Sequence, residues 1–258
     1  MKLAQKTFLV SGGSSGLGWA SVELLTAEGA FVAILDRAPP PTASPSTKYI
    51  EVDITNVSQI EAAVAATVKW TEETGAPLRG VINSAGIGSA SKIIDAKNEP
   101  HALDVWDYVI AVNLTGTFNL TRLALKHIVK SEPEEGPDAE RGVVIMVSSA
   151  AAYEGQPGQT AYSASKGAVR SMTLPMARDL ARHGVRVVTV APGVFESSMT
   201  QQMAPRVRKN LVAGGVAYPP RFGHPSEFAH TVKWIIECPY VNGETLRLSG
   251  GGRLPGKL

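Results

Sequence analysis

The 258-residue sequence contains a single cysteine, Cys238. One thiol cannot close an internal disulfide, and it excludes zinc or iron–sulfur sites built on several cysteines. A reducing compartment is therefore the default expectation. Cys238 precedes Pro239 near an expected helix end and reads as packing. The chain also lacks an apolar run of about 18 residues, so no membrane-spanning helix is expected. It has no marked excess of either charge. Lys+Arg number 25 and Asp+Glu 23, and a net +2 gives no reason to expect a nucleic acid or membrane surface as partner. Neither a signal-peptide apolar segment nor a long Arg/Ser-rich transit segment is expected at the start, and no repeat of fixed period is seen. His224 and His230 stand six apart with no third ligand at metal spacing, so no metal site is expected.

The sequence does have an ordinary globular balance, 44% hydrophobic and 19% charged residues. Short apolar runs rich in β-branched residues alternate with longer helical patterns. The runs are Thr7–Ser11, Phe31–Asp36, Tyr49–Asp53, Gly80–Ser84, Val143–Ser148, Val185–Ala191 and Thr245–Leu248. Most are apolar throughout, as in strands covered on both faces. The helical stretches are Leu17–Glu28, Val57–Thr74, Leu103–Lys130, Thr160–His183 and Ser226–Glu237. This alternation predicts an α/β fold, a Rossmann-type doubly wound parallel sheet with right-handed crossovers. The proline-rich stretch Ala38–Thr47 replaces a helix with a loop, and the acidic stretch Ser131–Arg141 reads as a surface loop. Residues 193–223 read as a partly helical flap over one end of the sheet. Strands resume after each break, so residues 1–258 are expected to form one domain.

The first strand runs into Ser11-Gly12-Gly13-Ser14-Ser15-Gly16-Leu17-Gly18, and a helix pattern follows at once. Glycines allow a tight turn and close approach of a ligand, and the helix N-terminus favours a pyrophosphate. A plain packing turn would use glycines too; the placement between strand one and helix one favours the phosphate reading. At the end of the second strand stands Asp36, a carboxylate able to accept from both ribose hydroxyls of an adenosine. It would repel a 2′-phosphate, which favours NAD over NADP. The alternative for Asp36 is a solvated strand-end acid. Arg37 is discounted as a phosphate partner because Asp36 holds the nearer position.

The spacing Gly12-x3-Gly16-x-Gly18 is similar to the glycine motif of the short-chain dehydrogenases/reductases. Asn83-Ser84-Ala85-Gly86, Asn113, Ser149, Tyr162-x3-Lys166 and Pro192-Gly193 extend that resemblance over about residues 7–250. Ser11 departs from the family's usual threonine but keeps a hydroxyl. The resemblance implies Asn113, Ser149, Tyr162 and Lys166 as the catalytic set. It implies a cofactor site of Ser11, Gly12, Ser15, Gly16, Leu17, Gly18, Asp36, Asp53, Ile54, Asn83, Ala85, Gly86, Tyr162, Lys166, Pro192, Gly193, Val194 and Ser197. Asp53 would meet the adenine amino group, although a plain turn acid is the alternative. Val194 and Ser197 would meet the carboxamide.

Tyr162 and Lys166 lie one helical turn apart on one face. An adjacent ammonium is expected to lower the phenol's pKa so that Tyr162 acts as general base. Ser149 would steady the substrate oxygen, and Asn113 would hold a water linking Lys166 to solvent. Within the family, the stretches Ala151–Val169, Met172–Leu180, Ala191–Phe195 and Pro219–His230 resemble members that oxidise 3-hydroxyacyl-CoA thioesters and, secondarily, steroid alcohols. A secondary-alcohol or steroid dehydrogenase without CoA preference stays open, as does a scaffold role in RNA processing. Phe195, Met199, Met203 and Leu211 give the flap an apolar lining for either substrate. Arg206, Arg208 and Lys209 form a basic cluster, either a solvated helix face or a contact for CoA phosphates. The resemblance also implies a homotetramer built on Leu103–Lys130, Thr160–His183 and the C-terminal region. The final Gly256-Lys257-Leu258 is close to a peroxisomal address, with mitochondrion and cytoplasm as alternatives.

Overall fold

The structure is a computed structural model that describes residues 1–201, 203, 205–254 and 256. The expected address at Lys257 and Leu258 lies outside the described residues. In chain order the elements are β1 (Thr7–Ser11), α1 (Gly16–Ala27), β2 (Phe31–Asp36), β3 (Thr47–Glu51), α2 (Val57–Thr74), β4 (Leu78–Asn83), α3 (Leu103–Ile110), α4 (Thr117–Ile128), β5 (Gly142–Val147), α5 (Thr160–Leu180), β6 (Val185–Pro192), α6 (Ser198–Gln201), α7 (Pro205–Gly215), α8 (Pro225–Glu237) and β7 (Thr245–Leu248).

The seven strands form one sheet in the order β3-β2-β1-β4-β5-β6-β7, parallel at every pairing. Each parallel neighbour needs a crossover, and the crossovers cover both faces. Alternation along β1 shows how the core divides. Leu9 packs in a layer with residues of α2, α4 and α5, whereas Phe8 and Val10 pack with Val22 and Leu25 of α1 and Phe228 and Val232 of α8. Every residue of β1, β4, β5 and β6 is buried, which accounts for the lack of apolar–polar alternation along them. This is the doubly wound α/β fold that the strand–helix alternation implies.

Two local expectations change. β3 lies two residues earlier than its apolar run suggested, because it pairs with β2 from Val32↔Thr47 to Asp36↔Glu51. Asp53 is thereby left beyond the strand, in a turn. The single helix expected over Leu103–Lys130 is three pieces, with a six-residue π-helical segment, Ala111–Gly116, between α3 and α4. Gly116 marks the reason for close packing there: a Cβ would stand 2.8 Å from both Ile54 Cγ1 and the Ile54 carbonyl oxygen. The flap holds α6 and α7, and a single bridge, Phe195↔Gly223, closes its base. No helix among the described residues is long and apolar enough to cross a membrane.

Candidate active site

Because every strand runs the same way, Ser11, Asp36, Asn83, Val147 and Pro192 all arrive at one edge of the sheet. From β1 the chain builds outward through β2 to β3 on one side, then returns to lay β4 on the other side of β1 and builds outward again. A crevice opens at such a reversal. The glycine turn fits there only without side chains. Gly12 has φ +64°, and a Cβ on it would stand 2.7 Å from the Ala85 nitrogen; a Cβ on Gly18 would stand 2.1 Å from the Gly12 carbonyl oxygen. Ser11 Oγ accepts from the Ala85 N–H at 3.3 Å, which joins the glycine turn to the Asn83–Gly86 segment.

The N-terminus of α1 fits an anion. Ser15 occupies the N-cap position but its side chain makes no cap hydrogen bond, and the first turn, including Gly16, Leu17 and Gly18, holds no acidic residue. Its N–H groups and dipole therefore face the crevice uncompensated by any side chain. Ser14 Oγ is buried there with no hydrogen-bond partner. At the end of β2, Asp36 accepts from the Ser14 N–H at 3.0 Å and from the Ala38 N–H at 3.3 Å. Arg37 donates to the Tyr108 hydroxyl on α3 at 3.3 Å. Asp53 accepts from the Thr55 N–H at 2.8 Å and from the Thr55 hydroxyl at 2.7 Å, and these bonds hold its carboxyl below the usual carboxylate range. Ile54, next along, packs under Gly116.

On the other side of the crevice, α5 places Tyr162 and Lys166 one turn apart. Lys166 Nζ lies 5.9 Å from the centre of the Tyr162 ring. The phenol's pKa is raised rather than lowered as the spacing implied. Burial raises Tyr162, and the opposing pull comes from a hydrogen bond with the Ser149 side chain. Lys166 Nζ instead donates to the Val147 carbonyl at 2.8 Å. It is only 5% exposed, and burial lowers its pKa from 10.5 to about 8. Ser149 follows β5, accepts from the Ala151 N–H at 3.1 Å, and so caps the short 3₁₀ turn Ala150–Ala152.

Asn113 sits in the π segment, fully buried. Its Oδ1 accepts from the Ile87 N–H at 2.8 Å, while its Nδ2 donates to the Ile87 carbonyl at 3.0 Å and to Ser165 Oγ at 3.1 Å. Its amide thus clamps the 83–87 segment to α5. Ser165 completes the clamp by donating to the Tyr162 carbonyl at 2.7 Å. Sequence reasoning missed Ser165, and its only signal was its place between Tyr162 and Lys166. Asn83 ends β4, paired with Ser11 of β1. Its amide is buried and donates to Thr121 on α4 at 3.0 Å.

Pro192 ends β6, and the Gly193 N–H donates to the Leu248 carbonyl at 2.8 Å. The Val194 carbonyl accepts from the Gly223 N–H at 2.9 Å. Ser197 stands over the glycine turn, its Cβ 3.5 Å from where a Cβ on Gly16 would be. The basic cluster of the flap divides: Arg206 and Lys209 are exposed on α7, whereas Arg208 turns inward to Glu196. A groove of about 810 Å³ lies at the far end of the sheet, beside Lys6, Arg79 and Glu134, and holds none of these groups.

Two observations test whether a nicotinamide dinucleotide fits. The uncapped α1 N-terminus with the orphaned Ser14 hydroxyl provides for a pyrophosphate. At Gly86, a Cβ would stand 3.2 Å from Asn113 Oδ1 and 3.3 Å from Lys166 Nζ, so bare backbone keeps the space beside the lysine open. The residues fit the group.

Comparison with known proteins agrees with this geometry. A family model described as short chain dehydrogenase matches residues 6–208. The chain is 41% identical over 253 residues to 3-hydroxyacyl-CoA dehydrogenase type-2 of Bos taurus, covering 95% of this chain and 94% of that protein. It is also 41% identical over 254 residues to the protein of the same name from Homo sapiens, with the same coverage. The crystal structure of 3-hydroxyacyl-CoA dehydrogenase type-2 from Mycobacterium avium superposes with a TM-score of 0.88 at 32% identity, covering 100% of both chains. A glycine turn against an open helix end, Tyr162 one turn from a buried Lys166 and beside Ser149, and relatives matched over nearly their full length place this oxidoreductase in the short-chain dehydrogenase family.

Proposed function

We propose that the chain is an NAD-dependent dehydrogenase interconverting L-3-hydroxyacyl-CoA and 3-oxoacyl-CoA. The observation that carries this reading is the convergence of Ser149, Tyr162 and Lys166 beside the glycine cradle. The substrate class rests on the printed names of the relatives.

The first turn of α1 would hold the pyrophosphate, Asp36 the adenosine ribose, and the backbone of Val194 with Ser197 the carboxamide. Asp36 would repel a 2′-phosphate, which favours NAD over NADP. When bound, the nicotinamide supplies the acceptor for the hydride leaving the carbinol carbon. Ser149 donates a hydrogen bond to the substrate oxygen and fixes its position. Tyr162 Oη takes the hydroxyl proton as the carbonyl forms, and returns it in the reverse direction. Burial opposes the phenolate at Tyr162 and the Ser149 bond favours it; a protonated Lys166, 5.9 Å from the ring centre, would add to that pull. Lys166 supplies that charge only while protonated, below about pH 8 in the free protein.

The proposed partner state is a homotetramer. Leu103 on α3, Phe118 on α4 and Leu174 on α5 leave large apolar side chains exposed on the helices expected to form its contacts.

The test is an assay of acyl-CoAs of graded length and of steroid alcohols, each with NAD and NADP, on wild type and Tyr162→Phe. The expected result is NAD-dependent turnover of 3-hydroxyacyl-CoA that falls by about 10²–10⁴-fold in the variant. Turnover of steroids alone would replace the substrate. A Tyr162→Phe protein as active as wild type would remove the dehydrogenase reading.

A further inference from the structure

Arg208 carries a charge that neither the catalytic set nor the cofactor cradle uses. It lies on α7, and its guanidinium makes three contacts. Nη2 donates to Glu196 Oε1 at 2.6 Å, Nη1 donates to the Thr200 carbonyl at 3.0 Å, and the group lies 4.5 Å from the centre of the Phe222 ring. The pair is partly shielded, with side-chain exposures of 30% for Arg208 and 34% for Glu196.

Each partner belongs to a different part of the flap. Glu196 sits on the outgoing strand end, between Phe195 and Ser197. Thr200 is in α6, and Phe222 is on the returning segment. The base of the flap is held by backbone bonds, from the Glu196 N–H to the Gly223 carbonyl and from the Gly223 N–H to the Val194 carbonyl, both 2.9 Å. The Phe195 ring fills the space where a Cβ on Gly223 would stand, 2.6 Å from its nearest atom. Beyond that base, Arg208 ties α7 to the outgoing and returning segments together. Thr200 Oγ1 in turn accepts from the Ser197 N–H at 2.9 Å and donates to the Phe195 carbonyl at 2.8 Å. A continuous set of contacts therefore runs from α7, through Arg208 and Glu196, to the residue standing over Gly16.

We propose that Arg208 is a positioning residue: its ion pair with Glu196 and its stack on Phe222 hold the flap, and with it Ser197 and Val194, over the cofactor crevice, and so set the rate at which the dinucleotide leaves. The proposal rests on the nicotinamide-dinucleotide reading above. A half-shielded ion pair is salt-sensitive, whereas apolar packing is not. Lysine can keep the ion pair but loses the flat stack and the second, directed bond.

The experiment has two readouts. Trypsin cleavage at Arg206 and Lys209 in the nucleotide-free protein reports flap opening. Stopped-flow fluorescence reports NADH release. Arg208→Met is expected to be cut faster and to release NADH about tenfold faster, the scale of one partly shielded ion pair plus one ring stack. Glu196→Gln should show the same direction, and Arg208→Lys should fall between. Wild-type release should quicken with salt, and release from Arg208→Met and Glu196→Gln should not. Recovery of slow release in the doubly exchanged Glu196→Arg/Arg208→Glu protein would support the pair directly. Glu196→Gln carries the test if Arg208→Met does not fold. Wild-type cleavage, release rate and salt response in Glu196→Gln or Arg208→Met would overturn the proposal alone. A wild-type protein that binds no NADH would overturn the dinucleotide reading and this proposal with it.

Discussion

Replacing Lys166 by methionine should remove activity and yet make the protein more stable. The ammonium is 5% exposed, and its burial lowers the lysine pKa from 10.5 to about 8. At ~1.4 kcal/mol for each pH unit, holding the charged form in the fold costs about 3 kcal/mol at neutral pH. Methionine has similar reach and no charge to desolvate, but it gives up the bond to the Val147 carbonyl, about 1 kcal/mol net. The expected balance is a gain of about 2 kcal/mol for Lys166→Met at pH 7. The sign with pH follows from the lowered value. Below about pH 8 both folded and unfolded lysine are charged and the cost is fully present. Between about 8 and 10.5 the unfolded chain binds more protons than the folded one, so wild-type stability rises and the gap closes. Urea denaturation of both proteins at about pH 7 and about pH 10.5 measures it. A variant less stable than wild type at neutral pH, or a gap of equal size at both values, would refute the reasoning.

Other predictions concern the cradle and the assembly. Gly18→Ala would set a methyl 2.1 Å from the Gly12 carbonyl oxygen, so it should lose about 2–4 kcal/mol of stability and NADH binding together; a wild-type denaturation midpoint with wild-type affinity would count against the close-approach argument. Asp36→Ala removes the carboxylate proposed to face the ribose and releases the Ser14 N–H, so the ratio of kcat/KM for NAD over NADP should fall at least about tenfold; an unchanged ratio would move discrimination elsewhere. Size-exclusion with light scattering should find four copies, with Leu103, Phe118 and Leu174 shielded, and a monomer at micromolar concentration would sink the assembly.

Much of this molecule was legible before any coordinates. The ends of β1 and β2 coincide with their apolar runs, because strands buried on both faces have no reason to alternate, and the ends of β7 and α2 also fall where the sequence pattern put them. The order Gly12, Ser149, Tyr162, Lys166 pointed to one edge of one sheet, where a parallel sheet delivers them. Legibility failed where geometry, not composition, decides. Apolar periodicity continues from α3 to α4, so nothing in it marks the π segment at Ala111–Gly116. The interval between Tyr162 and Lys166 fixes a shared face but not the direction of the ammonium, which is drawn to a strand-end carbonyl. Arg206, Arg208 and Lys209 look equivalent as letters. The turn of α7 exposes the first and last and aims the middle one at Glu196. β3 slid by two residues because backbone pairing with β2, rather than side-chain polarity, set its register.

The π segment has a cost beyond local geometry. A helix there would be more regular with one residue fewer, and a regular helix propagates more favourably than a widened one. Yet removing a residue before Asn113 would rotate its amide by about 100° around the axis, away from Ile87 and Ser165. The irregular turn is therefore a place where the chain forgoes backbone economy to keep one amide facing inward. Length changes that look harmless in a long surface helix should be intolerable over these six positions.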